Sequence, residues 1–162
     1  PINGQWVAEN GAYVQRETGK FDLISFYRNP IAGDVTFGAD VTYLDGDMGG
    51  GLVFLAPTRE RKAGAQMISF TADGSYLQWG WFDANGDFQF TGGVAVSPAV
   101  NDGLTHRLAV TISGDRYFVR LDGETVGSDI PLESPDQEGY VGLFVNTSSV
   151  AFDNVTVEAA LT

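Results

Sequence analysis

The chain has 162 residues, of which 43% are hydrophobic and 12% aromatic, and this composition suits one folded domain with its own core rather than a disordered chain. Nine Lys and Arg residues stand against 21 Asp and Glu residues, a formal net charge of −12, so we expect neither nucleic acid nor a membrane as a partner. Cysteine is absent, which excludes disulfides, thiolate nucleophiles and cysteine-based zinc sites.

Short stretches of alternating apolar and polar residues, separated by glycine turns, run through the first half of the chain and indicate half-buried β-strands. Asn10-Gly11 predicts an N-terminal hairpin, because this pair readily adopts the positive φ angles of a tight turn. Strands are predicted at 23–27, 34–43 and 51–56. The glycine-rich segment 44–50 is predicted to be a loop between the last two strands.

The second half continues this pattern with an aromatic strand, YLQWGWF at 76–82, and a polar turn at 83–87. Further strands are predicted between residues 106 and 158, and no stretch shows a helical stripe. About a dozen short strands at turn spacing, without helices, predict an all-β fold. We expect an antiparallel two-sheet β-sandwich, or jelly roll, in a single domain over residues 1–162.

Four segments together carry a resemblance to a known family. They are WVAENGAYV at 6–14, FGADVTYLDGDMGGGLVF at 37–54, HRLAVTISGDRYFVRLDGETV at 106–126 and GYVGLFVNTSSVAFDNVTVEA at 139–159. The set resembles the concanavalin A-like lectin/glucanase superfamily, and within it carbohydrate-binding module family 66 and the C-terminal β-sandwich of fructan-active glycoside hydrolases such as levanases and invertases. The resemblance implies a secreted, lectin-like module, excised from a larger sugar-active protein, that binds polysaccharide and is not itself catalytic.

Carbohydrate recognition needs a flat aromatic surface for the C–H face of a sugar and polar side chains for its hydroxyls, and the aromatic strand offers both. Trp79 and Trp81 are the candidate platforms. Because residues i and i+2 of a strand point the same way, the two tryptophans are either both in the core or both displayed. If both are in the core, Tyr76 and Gln78 become the displayed pair.

Polar partners for that strand are predicted on both sides of it in sequence. Asp83 and Asn85 lie in the turn that follows it, and Arg59 and Arg61 lie in an earlier loop that we expect at the sheet edge near the strand. A guanidinium can donate in parallel to vicinal hydroxyls or to the carboxylate of an acidic sugar. The alternative is a solvated loop in which the arginines pair locally with Glu60.

The sequence requires no cofactor, but the resemblance raises a structural calcium ion. It favours Asp153 in the terminal FDNV run as a ligand, since related sugar-binding sandwiches often carry one there. Asp45, Asp47 and Asp87 also offer carboxylates, although turn formation accounts for them and no EF-hand pattern is present.

Catalytic patterns are missing from the sequence. The paired carboxylates of a glycosidase would require acidic residues at alternate positions of one strand, and no strand shows this pattern. Asp34 and Asp40 are six positions apart and lie near the ends of the predicted strand 34–43. His106 is the sole histidine, has no nucleophile motif to serve, and is expected to start a strand.

We therefore expect a monomeric, secreted module that tethers a parent glycoside hydrolase in cis to polysaccharide. The resemblance makes fructan, meaning levan, inulin or terminal fructosides, the preferred ligand. Two alternatives stay open: a small glycoside hydrolase of the same fold, and a calcium-dependent adhesion or interaction module.

Overall fold

The computed structural model describes residues 1–133 and 138–159. Those residues form twelve β-strands and no helix, and hence no helix that could cross a membrane. The strands are β1 (Trp6–Glu9), β2 (Ala12–Gln15), β3 (Leu23–Phe26), β4 (Ile31–Ala32), β5 (Val35–Ala56), β6 (Gln66–Thr71), β7 (Tyr76–Phe82), β8 (Phe88–Ala95), β9 (Thr105–Ser113), β10 (Arg116–Leu121), β11 (Glu124–Pro131) and β12 (Glu138–Ala159).

Two long strands, β5 and β12, pair antiparallel and pass together from one sheet into the other. Sheet I has the order β1-β2-β12-β5-β9-β10-β11, in which β12 contributes 150–159 and β5 contributes 35–43. Sheet II has the order β3-β12-β5-β6-β7-β8, in which β12 contributes 142–146 and β5 contributes 49–56. The fold is therefore an antiparallel two-sheet β-sandwich, which confirms the predicted fold class.

The segment 44–50, predicted to be a loop, is the bend of β5 instead. Asp45 pairs with Ser149 and Gly49 with Asn146, so the ladder with β12 continues through the segment. Gly46 and Gly49 have φ angles of 110° and 134°, which a residue with a Cβ rarely adopts. Glycine here allows one strand to turn between sheets without breaking its pairing, and the loop prediction was wrong for that reason.

The main core lies between the sheets and follows the predicted alternation. Val35, Phe37, Ala39 and Val41 of β5 point inward and are buried. They face the inward side chains of sheet II, and Phe54 meets Tyr117 of β10 edge-on with the ring centroids 5.0 Å apart. Burial of this depth raises the pKa of Tyr117.

A second, smaller apolar cluster lies on the outer face of sheet II. Its members alternate with the core residues on the same strands and are covered by the loop 57–65; they are Ile24, Val53, Ala56, Ala65, Met67, Phe82 and Phe144. Ala65 joins this loop to β7 through the hydrogen bond that the Phe82 amide donates to its carbonyl, at 2.8 Å. The loop therefore closes one end of this outer face and leaves the other end open.

Candidate functional site

The two tryptophans of β7 point toward the core. Trp79 is 9% exposed, and its ring reaches across the core to β11 of the other sheet. A Cβ added to Gly127 of β11 would lie 3.0 Å from Cη2 of the Trp79 ring. Trp81 points the same way and is half-buried. This burial removes Trp79 as a stacking platform, because a sugar cannot reach a ring that fills the space between the sheets.

Tyr76 and Gln78 lie on the opposite face of β7, as expected when the tryptophans face inward, and both are half-buried. The Tyr76 ring rests against Gly93 of β8, where an added Cβ would come within 2.4 Å of ring atom Cε1. Gly92 does the same for Trp79 on the inner side, where a Cβ would lie 2.7 Å from Nε1. Two consecutive glycines therefore seat two aromatic rings on opposite faces of one strand.

Two further residues complete this surface, and the sequence analysis did not single them out. Phe90 pairs with Gly80, points outward and is 58% exposed. Ser69 pairs with Gln78 in the middle of the sheet and is fully buried, yet its Oγ has no hydrogen-bond partner among the described residues. Exposed aromatic surface thus lies beside hydrogen-bonding groups, one of which is unsatisfied.

Two aromatic rings from different strands of sheet II converge on this side. Phe82 of β7 and Phe144 of β12 have ring centroids 6.1 Å apart, although two strands lie between theirs and the backbones of such strands are about 14 Å apart in a flat sheet. The side chains on this side therefore converge, as they do on the concave side of a curved sheet. We call this outer surface of sheet II, which carries Tyr76, Gln78 and Phe90 with Ser69 buried beneath it, the concave face.

An ion pair borders the concave face. Lys62 of the covering loop pairs with Asp22 just before β3, and its Nζ lies 5.2 Å from the centroid of the Phe82 ring. The side-chain oxygen of Asn146 accepts a hydrogen bond from the backbone amide of Asp22 at 2.6 Å, and this bond holds the backbone of Asp22 in place. The border therefore offers a cation and a carboxylate, both only partly exposed.

The turn residues predicted for ligand contact have different roles in the structure. The Asp83 carboxylate accepts hydrogen bonds from the backbone amides of Asn85 and Asp87, at 2.9 and 3.0 Å, and from the Gln89 side chain at 3.1 Å. Asp83 therefore stabilises its own turn. Asn85 is exposed at the tip of that turn.

The arginine loop lies in a different place from the one predicted. Arg59 lines a cavity of about 460 Å³ with Phe26 and Arg28, at the β3 edge of sheet II, and not beside β7. The loop crosses the outer face of the sheet, and only its last residues, 64 and 65, bond to β7. Arg61 is exposed on the same loop.

Around Asp153, the calcium ligand that the resemblance favours, the charges do not suit a cation. Its Oδ1 accepts a hydrogen bond from the Asn154 amide at 2.8 Å. The nearby Asp40 binds the Asn154 side chain at 2.7 Å and the Arg107 guanidinium at 3.3 Å. Among residues 1–133 and 138–159, no three His, Cys, Asp or Glu side chains form a group that could hold a metal ion. Calcium at Asp153 stays a prediction that these contacts do not support.

His106 is held between two carboxylates at the start of β9. Nδ1 lies 2.8 Å from Asp122 Oδ2 and Nε2 lies 2.9 Å from Asp102 Oδ1. Burial lowers the pKa of the imidazole, but the two carboxylates outweigh this effect and raise it overall. With both ring nitrogens engaged, His106 has no free nitrogen for catalysis or metal binding.

A larger cavity, about 500 Å³, opens between the two sheets at the free edge of β12. Its walls are mostly apolar, with Phe37 at the bottom and the partly exposed Val155 and Val157 at the rim. The hydroxyls of Tyr13 and Ser25 lie 3.0 Å apart and hydrogen-bond to each other. A sugar would find few free polar partners there, so we place the candidate site on the concave face.

No protein-family model matches the chain, and no curated protein matches it. Solved structures do. The carbohydrate-binding module CBM66 from Bacillus subtilis is 24% identical, with a TM-score of 0.83 over 98% of this chain and 93% of that one. The exoplasmic/lumenal domain of VIP36, in a form bound to calcium and Man3GlcNAc, is 14% identical, with a TM-score of 0.74 over 99% of this chain and 83% of that one.

A protein from Parabacteroides distasonis that has been proposed to be a glycosyl hydrolase is 16% identical, with a TM-score of 0.68 over 96% of this chain and 90% of that one. At these identities the likenesses concern the fold. They confirm the antiparallel two-sheet β-sandwich expected from the sequence. Function has to be argued from the site.

Proposed function

We propose that this chain is a carbohydrate-binding module that binds polysaccharide on its concave face. The observation that carries the proposal is the Tyr76 ring, seated on Gly93 beside Gln78. A tyrosine in that position can stack on a sugar while the half-exposed Gln78 amide hydrogen-bonds to its hydroxyls. The likeness of the fold to the carbohydrate-binding module CBM66, and to the VIP36 domain in its form bound to Man3GlcNAc, supports a carbohydrate ligand.

The finer parts of the proposal follow the sequence resemblance. We propose fructan as the preferred polysaccharide, and a secreted parent glycoside hydrolase in cis as the protein that the module, acting as a monomer, targets to it. Tethering raises the concentration of an enzyme near its polymer without any chemistry by the module. Levan and inulin are therefore the first ligands to test.

Binding without catalysis agrees with the carboxylates near the face. Hydrolysis of a glycoside needs two carboxyl groups about 5–9.5 Å apart, one as acid and one as base or nucleophile. Asp22, at the border of the concave face, is ion-paired with Lys62. We expect no new reducing ends after incubation with levan or inulin, and their release would favour the hydrolase alternative.

Isothermal titration with levan, inulin and a panel of neutral glycans tests the proposal. Tyr76→Ala should weaken binding about tenfold, because aromatic stacking contributes about 0.5–1.5 kcal/mol beyond the area it buries. Tyr27→Ala is the matched control, since Tyr27 is 53% exposed but lines the cavity between the sheets. Absence of binding across the panel, or equal losses in both variants, would overturn the proposal.

A further inference from the structure

The basic residues of this acidic chain fall into two groups. Arg16, Lys20, Lys62, Arg107 and Arg116 each have a carboxylate within 4 Å. For the remaining four, Arg28, Arg59, Arg61 and Arg120, no such partner occurs among the described residues. With 21 acidic residues in the chain, unpaired arginines are unexpected, and three of the four come from two segments that meet at the β3 edge.

Arg28 and Arg59 line the same cavity of about 460 Å³, together with Pro1, Ile2, Phe26 and Glu60. Arg59 Nη1 lies 3.4 Å from the carbonyl oxygen of Arg28, which occupies one of its five donor positions. The other guanidinium donors have no partner among the described residues. Two like charges at one cavity repel each other, and an anion between them would relieve that repulsion while receiving paired hydrogen bonds.

We propose that this cavity, the arginine corner, is a subsite for an anionic group on the bound glycan, either the carboxylate of a uronic acid or a sulfate ester. The inference rests on the carbohydrate binding proposed for the concave face and not on the fructan preference, because levan and inulin carry no anionic group. Phe26 links the two places, because it lines the cavity and also packs on the outer apolar cluster. A glycan that reaches both is an oligosaccharide, since β3 and β7 are four strand spacings, about 19 Å, apart along the sheet.

The net charge of −12 does not prevent such binding. Charges are screened beyond about 8 Å at physiological ionic strength, so an anion in the corner interacts mainly with Arg28, Arg59 and Glu60. Glu60 is the unfavourable neighbour among these. Removing its charge should therefore strengthen binding of an anion, which makes the proposal testable in both directions.

The test uses matched acidic and neutral probes with the full chain. Oligogalacturonate is compared with its methyl ester, and dextran sulfate with dextran, by isothermal titration. We expect at least one acidic probe to bind about tenfold more tightly than its neutral counterpart, and the pair that shows this identifies the carboxylate or the sulfate. The preference should be lost in the double variant Arg28→Ala/Arg59→Ala and enhanced in Glu60→Gln.

Arg120→Ala provides the matched control, because Arg120 is exposed and unpaired among the described residues but lies on β10 of sheet I. It should keep the acidic preference in full. Equal affinity for acidic and neutral probes, or a preference that survives in the double variant, would overturn the arginine corner while leaving binding at the concave face intact. If neither member of any pair binds, and the neutral panel is silent too, the proposed function fails together with the subsite.

Discussion

The two consecutive glycines of β8, Gly92 and Gly93, allow the core and the concave face to be perturbed by separate substitutions. In Gly92→Ala the new methyl group would lie 2.7 Å from Nε1 of the buried Trp79, which has no space to move. Overpacking of this kind costs about 1–3 kcal/mol, and replacing a strand glycine by alanine returns about 0.5–1 kcal/mol. The central values of these ranges leave a net loss of about 1 kcal/mol, which should lower the melting temperature by about 2–4 °C in a domain of this size.

In Gly93→Ala the methyl group would lie 2.4 Å from Cε1 of Tyr76 and 2.7 Å from the carbonyl oxygen of Leu77. The half-buried tyrosine can swing toward solvent, but the Leu77 carbonyl is backbone and cannot, so we expect a destabilisation of about 1–3 kcal/mol. Unlike Gly92→Ala, this variant should also lose affinity for levan or whichever neutral glycan binds, by about tenfold. Thermal melting and isothermal titration on the two variants measure both quantities. Wild-type affinity in Gly93→Ala, or a loss of affinity confined to Gly92→Ala, would refute the reasoning.

Three further predictions concern charge. The pKa of His106 in the folded state is raised above 6.5. The protonated imidazole therefore contributes to stability in full below about pH 6.5, and this contribution is lost as the pH rises through the folded-state pKa. The melting temperature of the wild type should fall as the pH rises through that value, and the melting temperature of His106→Gln should not. Calcium should not change the melting temperature relative to EDTA, and a rise that Asp153→Ala abolishes would support the calcium alternative. Lys62→Met should leave the Asp22 carboxylate unpaired and weaken glycan affinity, whereas Arg116→Met, at the start of β10 in sheet I, should not.

Local sequence predicted the sandwich well because alternation along a strand directly reports which side of a sheet is buried. Val35, Phe37, Ala39 and Val41 point inward as expected. Trp79 and Trp81, two positions apart on β7, lie on the same side of the sheet, also as expected. The glycines at 44–50 were predicted to form a loop, and that prediction was wrong. A glycine in a strand bend and a glycine in a loop look alike in sequence, and only the pairing of β5 with β12 distinguishes them.

The position of the arginine loop could not be predicted, because it depends on tertiary packing. Arg59 is close to β7 in sequence, but the loop that carries it crosses the outer apolar cluster before Ala65 pairs with Phe82. Which cluster the loop covers is decided by residues from β3, β5, β6 and β12 together. Charge pairing is equally non-local, since Lys62 finds its carboxylate 40 positions earlier in the chain, at Asp22.

Glycines inside strands account for the rest of the site, and here sequence offers a usable signal. On this sheet the rings of large aromatic residues repeatedly lie against a glycine of the neighbouring strand, where a Cβ would collide with the ring: Phe88 against Gly80, Trp79 against Gly92 and Tyr76 against Gly93. A glycine that interrupts a strand pattern away from any turn signal indicates such a close approach. The Gly92-Gly93 pair therefore marks the face on which Tyr76 lies flat, even though the tryptophans are the more conspicuous residues of β7.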